Sequence, residues 1–279
     1  KIYALRDVTA TVESTPLIVA SIMSKKFAEG IDGIVFDVKC GSGAFMKTEK
    51  EAVNLAKALV STAKAGKKHA SALVTDMSEP LGCAVGNAIE VNECVAFLRQ
   101  GPQDPEPNNL LKEITFEIAI ELYSLAELQR GNKRPNPSAV QELLAEVLKS
   151  GQAYSKFLEI VSLQGGDTSA LDDGLPLAPK KIAFTANKNG FLHSMDSEAI
   201  GFALIELGGG RRKTSDKIDS STGFWFEKHL GDSIKKDETI ATIYAKDAKT
   251  AEIARKMLEA AVEIRAEAPS KPKLILQRI

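Results

Sequence analysis

The hydrophobic and polar positions of the first eighty residues fall into segments of two alternating kinds. Ser14 and Thr15 ahead of Pro16 supply an N-cap and a first-turn proline, and Gly30 supplies a stop after Phe27, Ala28 and Glu29, so a helix is predicted between them. Residues 31–39 carry the apolar run Gly33-Ile34-Val35-Phe36 and end at Gly41-Ser42-Gly43, the pattern of a buried strand entering a tight loop. Residues 49–66 then read as helix and 70–76 as a second strand. Strand, helix, strand is the βαβ order of an α/β domain.

The pattern changes further along. From 110 to 160 the text is helical, with Ile114, Ile118, Leu122 and Leu125 at helical spacing and interruptions at Pro135 and Pro137. A polar stretch containing Gly and Pro, 165–179, reads as a connection, and beyond Lys180 the segments are short and turn-rich. A last helix is predicted from Thr250 to about Ala266. Residues 224–245 carry the half-repeat pattern of a biotinyl or lipoyl carrier, with a turn at Gly231-Asp232 before Ile240, Ile243 and Tyr244. A carrier presents lysine beside methionine at a hairpin tip, and since no such pair occurs in a comparable turn the favoured reading is a structural hairpin.

Composition narrows the possibilities. The 279 residues are 44% hydrophobic and 26% charged, ordinary values for a globular chain with a sizeable core, and two domains are expected. Thirty-six basic residues against thirty-seven acidic ones leave a net charge of -1, so no overall field directs the chain to nucleic acid or to an anionic membrane. Cys40, Cys83 and Cys94 are too few and scattered for a disulfide framework and form no CxxC pair, which suits a reducing cytoplasm. No apolar run has the length of a membrane span, and the first residues lack the layout of a secretory signal. His69, His193 and His229 are isolated in sequence, with no orienting partner to make any of them a general acid or base.

Ser21 and Lys25 are four residues apart, so on a helix they share a face. Arg6 precedes them on an extended segment. A guanidinium, an ammonium and a hydroxyl that converge would suit a planar ligand with carbonyl oxygens and a ring N–H. Spacing alone leaves open the alternative of a solvated lysine on a surface helix.

Five motifs in order remove part of that ambiguity. The segments YALRDVTATVESTPLIVASIMSKK, VFDVKCGSGAFMKT, TDMSEPLGCAVGNAIEV, LQGGD and GGGRRKTSDKIDSSTGF together resemble the thymidine phosphorylase and pyrimidine-nucleoside phosphorylase family. The resemblance runs over the whole chain. It implies an α/β fold: part of a nucleoside phosphorylase α/β domain with a helical substrate-binding segment, followed by a smaller α+β C-terminal domain. The expected divisions are 1–29 for the base-binding helical remnant, 30–178 for the partial α/β domain and 179–279 for the C-terminal domain. By the same resemblance Arg6 and Lys25 bind pyrimidine carbonyls, Ser21 meets the ring edge, Tyr3 lines the pocket, and Phe45 is either a substrate-side aromatic or a loop-packing residue.

The segment LGCAVGNAIEVNE resembles the region where pyrimidine-nucleoside enzymes hold a monovalent cation, with potassium expected on the carbonyls of Leu81 and Ala84 and the carboxylate of Glu93. The alternative places Glu93 on a solvated helix face. No organic cofactor is expected. The implied reaction is reversible phosphorolysis, in which phosphate attacks the anomeric carbon and a free base leaves. Arg6 and Lys25 would stabilise negative charge on the departing base, with no side-chain nucleophile and no certain catalytic residue within the chain. The family's phosphate-binding Lys-His-Ser segment is expected ahead of the first motif, so the N-terminal part of the same enzyme is an expected partner for turnover, together with nucleoside, phosphate and a second copy in a homodimer. A phosphoribosyltransferase using a diphosphate-bearing sugar and Mg²⁺ is disfavoured by the Arg-Ser-Lys grip; a non-catalytic binding module is the remaining alternative.

Overall fold

At Gly30 the backbone takes a φ of +73°, a value glycine adopts without a side-chain clash, and the chain reverses from helix to strand. The computed structural model describes residues 14–100, 109–213, 215–270 and 273–279. Its elements begin with α1 (Thr15–Ala28), β1 (Gly33–Cys40), α2 (Glu49–Ala65), β2 (His69–Asp76), β3 (Ala84–Val85) and α3 (Asn87–Arg99). Three helices follow, α4 (Asn109–Gln129), α5 (Pro137–Lys149) and α6 (Gln152–Leu163), and then β4 (Lys180–Thr185), β5 (Gly190–Met195) and α7 (Ser197–Glu206). The chain continues through β6 (Gly223–Phe226), β7 (Ser233–Ile234), β8 (Thr239–Ala245), α8 (Ala248–Ala261), β9 (Val262–Arg265) and β10 (Ile275–Arg278). These elements form two compact units, one from the described residues up to Asp76 with Ile114–Gln141 and Lys273–Ile279, the other from those of Met77–Glu113 and Glu142–Pro272.

In the first unit β1 and β2 pair in parallel, from Gly33 opposite His69 to Cys40 opposite Asp76. Parallel neighbours need a crossover, and α2 supplies it. Its start is fixed by a capping box: the Thr48 hydroxyl accepts from the Glu51 N–H while the Glu51 carboxylate accepts from the Thr48 N–H. Phe36, Val38 and Cys40 alternate onto one face of β1 and join a core with Val19 and Met23 of α1 and Leu55, Leu59 and Val60 of α2. The opposite face approaches α4, where a Cβ at Gly33 would lie 3.9 Å from Leu125. β10 closes the other edge of β2 in antiparallel register, and its Arg278 is 2.6 Å from Glu117 and 3.5 Å from the buried Glu121, both on α4.

The second unit holds two antiparallel sheets, β3-β6-β8-β4 and β7-β5-β9. Phe224 and Phe226 are fully buried with their rings edge to face, centroids 6.3 Å apart, among Leu192, Ile200, Ile240, Ile243 and Leu258. Residues 224–245 do form antiparallel partners, Gly223 opposite Tyr244 through Phe226 opposite Ala241, but the connection detours through β7, which pairs with β5 in the other sheet. The final helix stops at Ala261 rather than near Ala266. Val262–Arg265 is strand because Ile264 alternates inward between exposed Glu263 and Arg265 while the segment pairs with β5. Among the described residues no helix is long and apolar enough to cross a membrane.

The paired phenylalanines make a direct test of this core. Phe226→Ala is expected to lower stability by about 3–5 kcal/mol, the usual cost of emptying a buried aromatic site. Urea unfolding followed by fluorescence of Trp225, the single tryptophan of the sequence, would measure it. A loss under about 1 kcal/mol would mean that the surrounding side chains close the space.

Candidate functional site

α1 carries two of the residues picked out from the sequence. Ser14 is its N-cap residue as the spacing predicts, although its hydroxyl makes no cap bond. Val19 and Met23 are buried, which leaves Ser21 half-buried and Lys25 exposed on another side of the helix. The far end of α1 is fixed by close packing: a Cβ at Gly66, just past α2, would come within 2.5 Å of the Phe27 ring. Tyr3 and Arg6 lie outside the described residues.

After the reversal at Gly30, α1 packs on α2, and its buried side chains join the core of the first unit. Val19 and Met46 accordingly share one core cluster. The loop leaving β1 is closed by the Gly41 N–H donating to Met46 O at 3.1 Å and by Lys47 Nζ donating to Ser42 O at 2.9 Å. Ala44 and Met46 are buried in it, whereas Phe45 is 67% exposed. The loop is therefore packed by its neighbours, and Phe45 is presented outward at the end of the sheet.

In the second unit, Glu93 of α3 turns inward and is 8% exposed, so the solvated-face alternative does not hold. Its Oε1 accepts from the Cys83 N–H at 2.7 Å and its Oε2 from the Ala84 N–H at 3.2 Å. Burial raises its pKa above the usual carboxylate value, and the two amide bonds offset part of that rise. A Cβ at Gly82 would lie 2.4 Å from Glu93 Oε2, so any side chain there would displace the carboxylate. The register explains a further feature. Ala84 is opposite Trp225 while Cys83 O accepts from the Phe226 N–H, so Ala84 turns its own N–H away from β6 and toward Glu93. On a strand the carbonyl leaves on the same side as the N–H of its residue, which puts the Ala84 carbonyl on the edge that faces Glu93. A carboxylate and a carbonyl on one edge, with half-buried Leu81 earlier in the same loop, fit a hard cation.

Beside that loop is a polar cluster that the sequence did not announce. His229 Nδ1 is 3.0 Å from Glu79 Oε2, and its Nε2 is 3.7 Å from Cys83 Sγ. Glu79 Oε2 also accepts from the Leu230 N–H at 3.0 Å, and Asp232 Oδ2 accepts from the His229 N–H at 2.8 Å. Burial alone would lower the imidazole pKa, but the hydrogen bonds to Cys83 and Glu79 and the charge of Glu79 outweigh it and bring the value to about 9. With 150 positions between the partners, no local spacing could have signalled the pair.

A parallel βαβ unit joined in the chain to a β-rich second unit is the α/β class expected from the sequence. Residues 1–154 match the model of the glycosyl transferase family, a/b domain, and residues 191–265 match the pyrimidine nucleoside phosphorylase C-terminal domain. The chain belongs to this glycosyl transferase family, as its five motifs indicated. It is 41% identical over 278 residues to the pyrimidine-nucleoside phosphorylase of Bacillus subtilis (strain 168) and 40% identical over 278 residues to that of Staphylococcus haemolyticus (strain JCSC1435). Each match covers 99% of this chain and 61% of the relative's length.

The His229 cluster sets a pH dependence of stability. Its pKa is about 9 in the fold and about 6.5 in an unfolded chain, so its contribution is complete below about pH 6.5 and is lost as pH rises through 9. Relative to His229→Gln, the wild-type protein is expected to lose up to about 3 kcal/mol between pH 6.5 and 10. Urea unfolding of both proteins across that range checks it, and a pH-independent difference would overturn the assignment.

Proposed function

We propose that this protein takes part in the reversible phosphorolysis of pyrimidine nucleosides. The observation that carries the reading is the match over 99% of the chain to pyrimidine-nucleoside phosphorylases, with the helix bearing Ser21 and Lys25 and the loop bearing Phe45 packing into one core through Val19, Met23 and Met46. Membership of the glycosyl transferase family and the activity for which the relatives are named support it. The chain spans 61% of the length of those relatives, and the activity is proposed for the full-length protein.

In this reading Arg6 and Lys25 face the pyrimidine carbonyls, Ser21 meets the ring edge, and Tyr3 and Phe45 flank the base. The transition state separates a sugar with oxocarbenium character from a base that gains negative charge. A lysine ammonium held at a carbonyl oxygen interacts more strongly as that charge grows, which lowers the barrier without a covalent intermediate. Phosphate is the attacking nucleophile. Leu81, Ala84 and Glu93 are proposed to hold potassium, which when bound supplies a fixed positive charge against the buried Glu93 carboxylate. The cysteine usage of the sequence supports a cytoplasmic setting.

Lys25→Ala in the full-length protein is expected to lower kcat/KM for thymidine by about 2–4 kcal/mol of transition-state stabilisation, measured as thymine release in phosphate buffer. Wild-type kinetics would remove Lys25 from the site. For Glu93, melting in potassium is compared with melting in a bulky organic cation at matched ionic strength. The wild-type protein should show an increment specific to potassium that Glu93→Gln reduces or abolishes, because an ion bound to the native state alone raises its stability. An unchanged increment in the variant would reduce Glu93 to a structural carboxylate.

A further inference from the structure

Two charged side chains occupy the C-terminal half of β1, and the reaction described above does not use them. Asp37 and Lys39 are two residues apart, so they share the strand face opposite Phe36 and Val38. Lys39 Nζ is 2.6 Å from Asp37 Oδ2, and the fully buried Thr75, opposite Lys39 on β2, donates its hydroxyl to Asp37 Oδ1 at 2.5 Å. Asp37 is thus locked in place. The Lys39 ammonium is shielded from solvent and makes no aligned hydrogen bond among the described residues, its contact with Asp37 being one of charge. The side chains of Lys39 and Asp37 nevertheless remain 25% and 23% exposed.

A charged pair in a sheet position otherwise suited to aliphatic residues costs desolvation that its mutual attraction does not reliably recover. An ammonium with undirected N–H groups adds to that cost. Position adds a second argument. In open α/β sheets, ligands gather beyond the carboxyl ends of the parallel strands, and β1 ends there at the Phe45 loop. Chemistry then selects the ligand group. The pair offers a fixed acceptor, Asp37, beside a donor on a four-carbon stem, Lys39, and is neutral as a whole. A phosphate would meet the Asp37 charge as closely as the Lys39 charge. A hydroxyl, which both donates and accepts, satisfies both partners.

We propose that Asp37 and Lys39, braced by Thr75, form the subsite for a sugar hydroxyl of the nucleoside, the carboxylate accepting the O–H and the ammonium donating to its oxygen. This rests on the phosphorolysis reading given above. The test compares thymidine, 3′-deoxythymidine and 5′-deoxythymidine in phosphate buffer with the full-length wild-type protein and with Asp37→Asn and Lys39→Met, all checked by thermal melting. The wild-type protein should use one of the deoxy analogues at least tenfold less well than thymidine in kcat/KM. Each variant should lose tenfold or more on thymidine but less than threefold on that analogue. A wild-type protein that treats all three nucleosides alike overturns the subsite even if neither variant folds. An equal fall on all three substrates would make the pair structural, and a raised KM for phosphate with unchanged nucleoside kinetics would assign Lys39 to phosphate; either result overturns the proposal. Thymidine phosphorolysis by the wild-type protein without discrimination would leave the wider reading intact, whereas no thymine release at all would overturn both.

Discussion

The parallel pairing of β1 with β2 is the constraint on which the first unit depends. Two strands pointing the same way cannot be joined by a hairpin, so the chain must cross over, and α2 with its Thr48–Glu51 capping box is that crossover. The same pairing brings both carboxyl ends to one edge. α1, turned back at Gly30, packs on α2 and shares one core with Met46 of the Phe45 loop, so it is part of the first unit rather than an isolated surface helix. β10 from the far end of the sequence completes the sheet, tied by Arg278 to Glu117 and Glu121. A local turn and a long-range pairing together decide where the chemistry can be.

Buried polar groups in this protein are held by different means in its two units. Glu93 is compensated by backbone amides of the loop that wraps it. Glu79 and His229 compensate each other and also fix the backbone at Leu230. Asp37, Lys39 and Thr75 follow a third pattern, with each Asp37 oxygen holding one partner and the Lys39 ammonium making no aligned hydrogen bond among the described residues. Side chains of low satisfaction at a strand end are where ligand chemistry is most economically sought, because a ligand atom can supply the partner that the fold withholds.

Family membership and geometry answer different questions. The matched a/b and C-terminal domains say which group-transfer framework this chain shares with its relatives. They do not by themselves assign a role to a side chain. The orientation of Ser21 and Lys25, the outward presentation of Phe45 and the inward turn of Glu93 are properties of local packing, and each carries the functional reading only where packing and chemical type agree.

The sequence by itself determined the elements governed by local rules: α1 between its serine cap and Gly30, the β1 and β2 runs, α2, and the shared face of Ser21 and Lys25. Its five motifs, read in order, also marked the family. It misjudged the end of the last helix, because Val262–Arg265 takes strand form through pairing with β5, some seventy residues earlier, and not through any stop signal of its own. Tertiary structure alone decided that Glu93 is buried, that His229 meets Glu79 and Cys83, that β10 joins β2, and that Thr75 locks Asp37 beside Lys39. The reason is physical. Helix caps and strand alternation act over a few bonds and leave a periodic trace in the sequence, whereas burial, ion pairing and sheet register join groups that become neighbours only when the chain has folded.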